Sequence, residues 1–488
     1  MSEPTYAELL ERIEALLVVV AEQAATIVEL ELKVAVLERR LGSDSSNSSR
    51  PPSSDAPWDK PAKPRSGRGR SGLRPGKQPG DPGMSRSLSG SPDRVVLIEP
   101  PTCCGCGSGL TGCTVTGVER RQVVDLAPVP PPVIIEYQRI SQRCRRCGAA
   151  TAASWSGAGD GHAEVLAGPG SPVRIGPAAL AACAFLTCAQ YLPVARATAL
   201  LHALTGLRLA TGFVAGVRGR AARKLTDTFL PYVKNLLTGA GVLHADETTA
   251  RAQGALAYVH VACTDYLTVM HVGDRSAADI DAGGVLPAFT GVLVRDGYAG
   301  YDHLPAVHAW CAAHLLRDLR SVSDADPQGQ LWAIAMADTL LSAHHAAGRA
   351  RGAGRDRLDP DILSELLNHY KGALAKGRLD NTDGRSDLAD RARTLIRRFS
   401  RYQDMILRFA TDLTVPFTNN QAERSIRPVK VQQRSSGGAW RTLTGLADFA
   451  VIHSYLDTAA KWGKDRYQAL TELFTTGPWL PPALTPAE

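Results

Sequence analysis

The segment between Gly241 and Tyr301 constrains the fold more than any other part of the chain. Three short runs rich in β-branched and aromatic residues, VLHADETTA, LAYVHVACT and LTVMHVG, follow one another closely and predict three antiparallel strands. A helical stretch near 276–285 comes next, and GVLVRDGYAGY predicts a fourth strand. The segment therefore predicts an α/β core within a larger chain.

Three antiparallel strands, a helix and a further strand form the opening order of a ribonuclease-H-like fold. In such a fold, an acid midway along the first strand lies beside an acid that ends the fourth, and Asp246 and Asp296 hold these places. Gly297 lets the chain turn without covering the second carboxylate. Paired carboxylates with open positions suit Mg²⁺ or Mn²⁺, and two such ions support in-line phosphodiester chemistry. We therefore expect a metal-dependent catalytic site here.

The segment VPFTNNQAERSIRPVK supplies a third carboxylate, Glu423. Thr418 and Gln421 predict a capping box at the start of a short helix that carries it. Three basic residues follow on the same helix, and we expect them to bind DNA phosphates: Arg424, Arg427 and Lys430. The alternative for Glu423 is an ordinary surface pair with the residue four positions later. The adjacent asparagines, Asn419 and Asn420, and the basic run favour a site, and we expect Asn420 to contact DNA as well.

Two CxxC pairs between residues 95 and 155 predict a small zinc-ribbon-like module. The four sulfurs of a closed tetrahedral Zn²⁺ site would come from Cys103, Cys106, Cys144 and Cys147. Between the pairs, RQVVDLAP and VIIEYQRI predict strands. The long gap between the pairs, together with Cys104 and Cys113, leaves the fourth ligand open, and a redox CxxC is the alternative.

Residues 177–225 predict three helices, and the third carries several basic residues. Gly206 supplies a turn, and Thr211 is expected to cap the third helix. The basic side chains of that helix are Arg218, Arg220, Arg223 and Lys224. A basic third helix suggests a helix-turn-helix that enters the DNA major groove, although a small helical packing unit has the same pattern.

The N-terminal region divides into a heptad repeat and a polar linker. Over 5–42, mostly β-branched residues at a and mostly leucines at d favour a parallel two-stranded coiled coil, so we expect a homo-oligomer. Residues 43–94 are rich in Ser, Pro, Gly and Arg and predict a flexible, disordered basic linker.

Composition excludes several classes of protein. The chain has 488 residues, 44% of them hydrophobic and 21% charged, which is typical of a globular protein with several domains. The formal net charge of +7 is concentrated in two short basic stretches, as a polyphosphate partner would favour. The apolar runs are too short to span a bilayer, and the acidic N-terminus differs from a secretory signal. We expect a cytoplasmic, nucleoid-associated protein without a disulfide framework.

Six motifs in order resemble the insertion sequence 66 family of transposases. They are SSNSSRPPSSD with RPGKQPGDPG, the paired CxxC, HADET, VRDGYAGYDHL, WCAAHLLRDL and TNNQAERSIRPVK. The resemblance extends from about residue 43 to 470 and implies cleavage and strand transfer of double-stranded DNA at the inverted repeats of a mobile element. It assigns the catalytic triad to Asp246, Asp296 and Glu423. Element-encoded helper proteins are possible partners.

The resemblance also implies roles outside the triad. Cys311 and His314 match a C-x-x-H element of the family, in which His314 is a candidate contact to phosphate or the scissile strand, and Arg317 a weaker one. The alternative for His314 is a satisfied core histidine. Many relatives have Asp where this chain has Thr418, so any metal role of that Asp is lost. The expected domains are a coil (1–42), a linker (43–94), a zinc module (95–155), a helical DNA-binding domain (170–235), a catalytic core (241–314 and 413–475) and a helical insertion (315–412).

Two other functions compete with an active transposase. A domesticated, inactive DNA-binding protein would need only the zinc module, the basic linker and the helical domain. A ribonuclease-H-type nuclease would need only the core and would leave the other modules without a purpose. The presence of all three acids favours the transposase.

Overall fold

The computed structural model describes residues 23, 34, 80, 86–157, 162, 166, 171–382 and 386–485. The predicted coil at 1–42 and most of the predicted linker at 43–94 lie outside the described residues. The chain divides into two compact units, one comprising 59–131 and the other the remaining residues. Among the described helices, none combines the length and the low polarity that crossing a bilayer requires.

The strands predicted between the CxxC pairs are absent. In the unit 59–131, the described residues form one isolated bridge, between Thr102 and Gly109, and no strand at RQVVDLAP, where Val123 is 93% exposed. In the other unit, VIIEYQRI also forms no strand, and Ile134 is 93% exposed. β-Branched residues stabilise a strand through the neighbours that they pack against, and these side chains have no such cover.

A short hairpin and four helices precede the main sheet. The hairpin pairs β1 (Ser141–Arg143) with β2 (Ala150–Ala152). The helices are α1 (Pro177–Ala184), continued by a π-helical turn (Phe185–Ala189), α2 (Val194–Thr205), α3 (Thr211–Thr226) and α4 (Phe229–Thr238). The three helices predicted over 177–225 are confirmed.

The turn between α2 and α3 was predicted in part. Gly206 ends α2 in the left-handed region with φ 77°, where glycine meets no steric penalty. Thr211 is not the cap of α3, because the N-cap residue is Ala210, which has no side-chain oxygen to bond the first amides. On α3, the buried side chains of Val214, Val217 and Leu225 recur at helical spacing and face the core.

The central sheet has five strands. They are β3 (Val242–Ala252), β4 (Ala255–Cys263), β5 (Thr268–Gly273), β6 (Val292–Arg295) and β7 (Val307–Trp310). Their order is β5-β4-β3-β6-β7. The first three strands pair antiparallel, β3 and β6 pair in parallel, and so do β6 and β7. The predicted strands and their antiparallel pairing are confirmed.

The connection from β5 to β6 contains the predicted helix, α5 (Ala277–Ala282). Ser276 caps it, since its hydroxyl accepts a hydrogen bond from the Asp279 amide at 3.1 Å. The connection returns the chain so that β6 lies beside β3 rather than beside β5. As a result, the carboxyl end of β6 lies near the middle of β3.

Residues between β7 and the last helices form a helical region with its own hydrophobic core. Its helices are α6 (Ala312–Ala325), α7 (Leu331–Gly352), α8 (Pro360–Asp380), α9 (Asp387–Arg401), α10 (Gln403–Ile406) and α11 (Arg408–Thr411). Trp332, Tyr370 and Phe399 are fully buried there, and Val294 and Trp310 of the sheet join the same core. The helical character predicted for 315–412 is confirmed.

Three helices complete the fold against the sheet. They are α12 (Asn420–Ser435), α13 (Leu443–Lys461) and α14 (Arg466–Thr475). A second hydrophobic core unites the sheet with α1–α4 and with these helices. Leu446, Phe449 and Tyr455 of α13 are fully buried in it, so α13 is a central rather than a peripheral helix.

A buried polar network joins α12, α13 and β5. The Asp457 carboxylate accepts hydrogen bonds from Thr268 at 2.7 Å and from Ser425 at 2.8 Å, and it lies 3.3 Å from the Lys461 ammonium. Burial acts to raise the pKa of Asp457, but the charge of Lys461 and these hydrogen bonds outweigh it and lower the pKa. The network fixes α12 against the sheet through a single carboxylate.

We predict that Asp457→Asn lowers the free energy of unfolding by about 3 kcal/mol at pH 7, because it leaves the Lys461 ammonium buried without its counter-charge. The pKa of Asp457 is depressed in the folded state, so its stabilising effect exists above the unfolded value of about 3.9 and disappears as the pH falls through the folded value. Urea denaturation at pH 7 and below pH 3 should therefore show the difference from wild type shrinking in acid. Asp338→Asn, at an exposed position of α7, is the matched control. A difference that is constant with pH would contradict the assignment.

Candidate active site

Parallel pairing of two strands brings Asp246 and Asp296 to the same level of the sheet. Val242 lies opposite Val292, and His244 lies opposite Val294. Continued by two residues, this register sets Asp246 level with Asp296, the first residue after β6. Both side chains are half-buried, so they can reach solvent or a ligand while remaining held by the sheet.

Glu423 lies in the first turn of α12, but the predicted capping box does not form. The N-cap residue is Asn419, whose side chain makes no cap, and the Gln421 amide donates instead to the carbonyl of Thr264 at 3.3 Å. No ion pair between Glu423 and Arg427 occurs in the structure, although both residues are described. The surface-pair alternative for Glu423 is therefore unsupported.

Asn419 is fully buried and ties the start of α12 to β3. Its amide nitrogen donates to the carbonyl of Ala245 at 2.7 Å, and its amide oxygen lies 2.9 Å from Nδ1 of His244. Because that oxygen can only accept, Nδ1 of His244 carries the hydrogen. The backbone amide of Asn419 also donates to the Cys311 sulfur at 3.1 Å. These bonds fix the position of Glu423 relative to Asp246.

The three acids interact electrostatically. Burial raises the pKa of Asp246 well above its ordinary value, and the negative charges of Glu247, Asp296 and Glu423 raise it further. One backbone amide opposes this effect, since Glu247 N–H donates to the Asp246 carboxylate at 2.9 Å. A gathering of carboxylates with unfavourable mutual repulsion is the arrangement that a divalent cation stabilises.

Glu247 is a buried fourth acid that the sequence analysis did not identify. Its carboxylate pairs with Arg275 at 2.7 Å and accepts a hydrogen bond from the Tyr301 hydroxyl at 2.6 Å. The Arg275 guanidinium also lies over the Tyr298 ring, 3.8 Å from its centroid. As the neighbour of Asp246 in β3, Glu247 projects from the opposite face of the sheet. Arg275 and Tyr301 therefore stabilise β3 on the side of the sheet opposite Asp246.

Arg295 is a second residue that the sequence analysis missed. It is fully buried and donates to the backbone carbonyls of Asp296 at 3.1 Å and Tyr298 at 2.8 Å, and to the Asp302 carboxylate. The Tyr298 amide in turn donates to the Asp296 carboxylate at 2.9 Å. Arg295 thus fixes the turn that presents Asp296. The only sequence signal was a basic residue inside an otherwise apolar strand.

Cys311 and His314 lie beside Glu423. The sulfur of Cys311, a ring nitrogen of His314 and a carboxylate oxygen of Glu423 are all within 4.8 Å of one another. The hydrogen bond to Cys311 raises the pKa of His314 to about 9. Burial acts to raise the pKa of the Cys311 thiol, but the hydrogen bond and charge of His314 outweigh it, and the pKa is lowered. The expectation that His314 belongs to the site agrees with this position.

Four of the predicted DNA-contact residues are exposed, namely Arg317, Asn420, Arg424 and Arg427. Lys430 differs, because its ammonium donates to the carbonyl of Thr249 and, at 2.6 Å, to the Thr249 hydroxyl on β3. Lys430 lies three positions after Arg427 and is half-buried, so its long side chain lies against β3 rather than in solvent.

Arg218 and Arg220 pack within the protein rather than projecting from α3. The Arg218 guanidinium lies 5.4 Å from the centroid of the Trp440 ring, and that of Arg220 lies 4.4 Å from the centroid of the Phe213 ring. Both residues are half-buried, whereas Arg223 of the same helix is exposed. These contacts favour the packing-unit alternative for this face of α3.

A polar cleft adjoins the start of α12. Its volume is about 500 Å³, and its lining is His344, Arg351, the segment 413–418 and Asn420. The Arg351 guanidinium donates to the carbonyl of Leu413 at 3.2 Å, and the His344 ring stacks on Phe417 with centroids 4.2 Å apart. The cleft offers a cation and aromatic faces next to the acidic cluster.

The two CxxC pairs adopt the same local turn. In the first, the Cys103 amide donates to Ser108 O at 2.8 Å and the Gly107 amide to Cys103 O at 2.9 Å. In the second, Cys144 and Gly148 make the equivalent bonds, also at 2.8 and 2.9 Å. Gly107 and Gly148 have φ values of 76° and 74°, which explains the glycine after each pair. The pairs belong to different compact units.

Comparison with known families gives two matches. The profile of the family described as transposase IS66 family matches residues 172–447, more than half of the chain. That range contains all three acids together with Cys311 and His314. A family of unknown function (DUF6444) matches residues 1–87. No curated protein matches the chain.

We predict that Asn419→Ala lowers the free energy of unfolding by about 2 kcal/mol, because it leaves the Ala245 carbonyl and the His244 ring buried without their partner. Asn420→Ala, at the neighbouring exposed position, is the matched control and should change stability by less than about 0.5 kcal/mol. Urea denaturation followed by tryptophan fluorescence measures both. Equal effects of the two substitutions would show that Asn419 does not anchor α12.

Proposed function

We propose that this chain, which belongs to the IS66 family of transposases, cleaves DNA at the ends of its mobile element and joins the freed ends to a target, using Asp246, Asp296 and Glu423. The observation that carries the proposal is that β3, the end of β6 and the first turn of α12 bring these acids, far apart along the chain, near enough for Asp296 and Glu423 to raise the pKa of Asp246. A structural role alone would not require three carboxylates to gather against their own repulsion.

The sheet topology supports a ribonuclease-H-like core. The order β5-β4-β3-β6-β7, with three antiparallel strands followed by two parallel ones, is the order expected for that fold. The first acid lies within β3, the second directly follows β6, and the third lies on α12, which packs on β3 and β4. The helical region between β7 and α12 then corresponds to an insertion between the second and third acids.

The donor chemistry of the acids fits Mg²⁺ or Mn²⁺, which take hard carboxylate oxygens and retain open positions. Asp246, Asp296 and Glu423 would hold such ions, and the raised pKa of Asp246 in their absence is consistent with a site that requires a cation. When bound, the ions would polarise the scissile phosphate and lower the pKa of the attacking water or 3′-hydroxyl.

The remaining residues would position the acids and the DNA. Asn419 holds Glu423 near Asp246, Arg295 holds the turn of Asp296, and Arg275 neutralises Glu247 behind the sheet. Arg424 and Arg427, exposed on the helix that carries Glu423, would bind backbone phosphates on either side of the scissile bond. Such contacts align a phosphodiester without reading its sequence.

The other modules would support assembly on DNA. We propose that each CxxC turn supplies two sulfurs to structural Zn²⁺, Cys103 and Cys106 in the first and Cys144 and Cys147 in the second, since both pairs form the same hydrogen-bonded turn. The N-terminal heptads would join two or more copies, so that both ends of the element are held together. Helper proteins encoded by the element would act at this stage.

We predict that Asp246→Asn, Asp296→Asn and Glu423→Gln each reduce strand cleavage and joining by about 1000-fold or more, because each removes a charged metal ligand without changing side-chain size. The measurement is a Mg²⁺-dependent assay on DNA that carries the element's ends. Glu365→Gln, at an exposed position of α8, should retain wild-type activity.

Three outcomes of that assay would contradict the proposal, each in favour of a different conclusion. Cleavage without any joining would favour a nuclease, and absence of both reactions in the wild-type protein, with end binding retained, would favour a domesticated DNA-binding protein. Activity that survives substitution of both aspartates would remove the triad altogether.

We predict that Arg424→Ala and Arg427→Ala each weaken DNA binding and reduce the slope of log affinity against log salt by about 0.9, the value for one lost phosphate contact. Binding to end-containing DNA in a salt titration measures the slope. Lys371→Ala, which removes an exposed charge from α8, should leave it unchanged. A uniform loss of affinity with an unchanged slope would contradict phosphate contact.

A further inference from the structure

We propose that Cys311, His314 and Glu423 form a second metal site, selective for a borderline divalent ion of the Zn²⁺ class, which shares Glu423 with the catalytic site and inhibits the enzyme when occupied. The inhibitory part rests on the proposed function, because it requires Glu423 to be a catalytic ligand. The binding part does not.

The geometry brings the three ligand atoms together from two helices. Cys311 is the N-cap residue of α6 and His314 is three positions further on, so one turn of helix directs both side chains to the same face. Glu423 approaches from the first turn of α12. The three ligand atoms lie within 4.8 Å of one another, whereas two ligands of one tetrahedral zinc are about 3 to 4 Å apart. Small side-chain rotations would close the remaining gap.

The donor set distinguishes this site from the site of the three acids. A sulfur and an imidazole nitrogen favour zinc, whereas Mg²⁺ prefers oxygen ligands alone. Glu423 is the one ligand that belongs to both sets. The two sites are therefore adjacent, and their preferred ions differ.

The surroundings support ligation by the sulfur and the ring. The Asn419 amide donates to the Cys311 sulfur at 3.1 Å, a bond that stabilises a thiolate and orients it. Nδ1 of His314 is buried without a hydrogen-bond partner in the structure, although buried ring nitrogens are generally satisfied. Three protein ligands leave the fourth tetrahedral position to a water molecule or to a phosphate oxygen.

Occupancy of this site would withdraw Glu423 from the catalytic ions. A carboxylate oxygen that is bound to zinc is less able to neutralise Mg²⁺, so the triad would lose one of its ligands. Because Asn419 holds both Cys311 and the start of α12, the backbone of Glu423 cannot move away from the Cys311 sulfur. Zinc at concentrations far below that of Mg²⁺ would therefore inhibit cleavage and joining.

The binding experiment uses Co²⁺, which reports thiolate ligation through a sulfur-to-metal charge-transfer band. The full-length protein is titrated as wild type, Cys311→Ser, His314→Ala and Glu423→Gln. Because the CxxC cysteines contribute their own band, the readout is the difference between proteins. Cys183→Ser, another buried cysteine of the same catalytic unit, and Asp246→Asn are the matched controls.

Wild type and Cys183→Ser should have the charge-transfer band of one more thiolate-bound Co²⁺ per chain than Cys311→Ser, and Asp246→Asn should retain that band even if it loses Co²⁺ from the site of the three acids. His314→Ala and Glu423→Gln should weaken this additional binding by about tenfold or more. If Cys311→Ser takes up as much Co²⁺ as wild type and has the same band, the site does not exist.

The inhibition experiment adds Zn²⁺ to the Mg²⁺-dependent joining assay. Half-inhibition of Cys311→Ser should require about tenfold more zinc than wild type, whereas Cys183→Ser should match wild type. Equal sensitivity of wild type and Cys311→Ser would refute inhibition through this site. A wild-type protein that lacks activity would refute the proposed function instead, and the Co²⁺ titration would still decide whether the site binds metal.

Discussion

The mutual repulsion of three carboxylates is the interaction on which the rest of the structure depends. Asp246 cannot lie close to Asp296 and Glu423 unless the protein holds all three against their own charge. Burial raises the pKa of Asp246 most, and the charges of Glu247, Asp296 and Glu423 raise it further. Parallel pairing of β3 with β6 fixes the first two, because a backbone ladder cannot relax side-chain repulsion by sliding. The third has no such ladder and is fixed through side chains.

The anchoring of α12 follows from that requirement. Asn419 ties the first residue of the helix to β3, and Ser425, one turn further on, hydrogen-bonds the Asp457 carboxylate of α13. Each bond is buried, so each is worth more than the same bond at the surface. Glu423 lies between these two attachments. The helix is consequently held on both sides of Glu423, as the proposed catalytic role of this carboxylate would require.

The sequence predicted β3 to β6, the helix between β5 and β6 and the helical region, but not the contacts among side chains, and the strands that it predicted between the CxxC pairs do not form. Strand periodicity and the position of acids at strand ends do not depend on distant residues, which is why β3 to β6 and the helical region were predicted. The capping box at Thr418 failed because Asn419 is held by β3, and the cap at Thr211 failed because Ala210 precedes the helix.

The basic residues show the same limit. A sequence pattern cannot tell an arginine that faces solvent from one that packs on a ring of its own protein, so Arg218 was assigned to DNA although it lies over Trp440. Glu247 and Arg295 were missed because the sequence does not reveal which buried side chains they contact. A charge within an apolar strand is interpretable only when its buried partners, Arg275 and Asp302, are known.

The helical region separates Asp296 from Glu423 by more than a hundred positions, yet the charges of both act on Asp246. The two ends of the region are held together at its base. The Ala312 amide donates to the carbonyl of Phe417 at 3.0 Å, and the Asn419 amide donates to the Cys311 sulfur, so the chain enters and leaves the region at one point. A region that is closed in this way can keep its own core around Trp332 without displacing the site. Because Cys311 is part of that closure, the bonds that hold the start of α12 in place also bring the Cys311 sulfur beside Glu423.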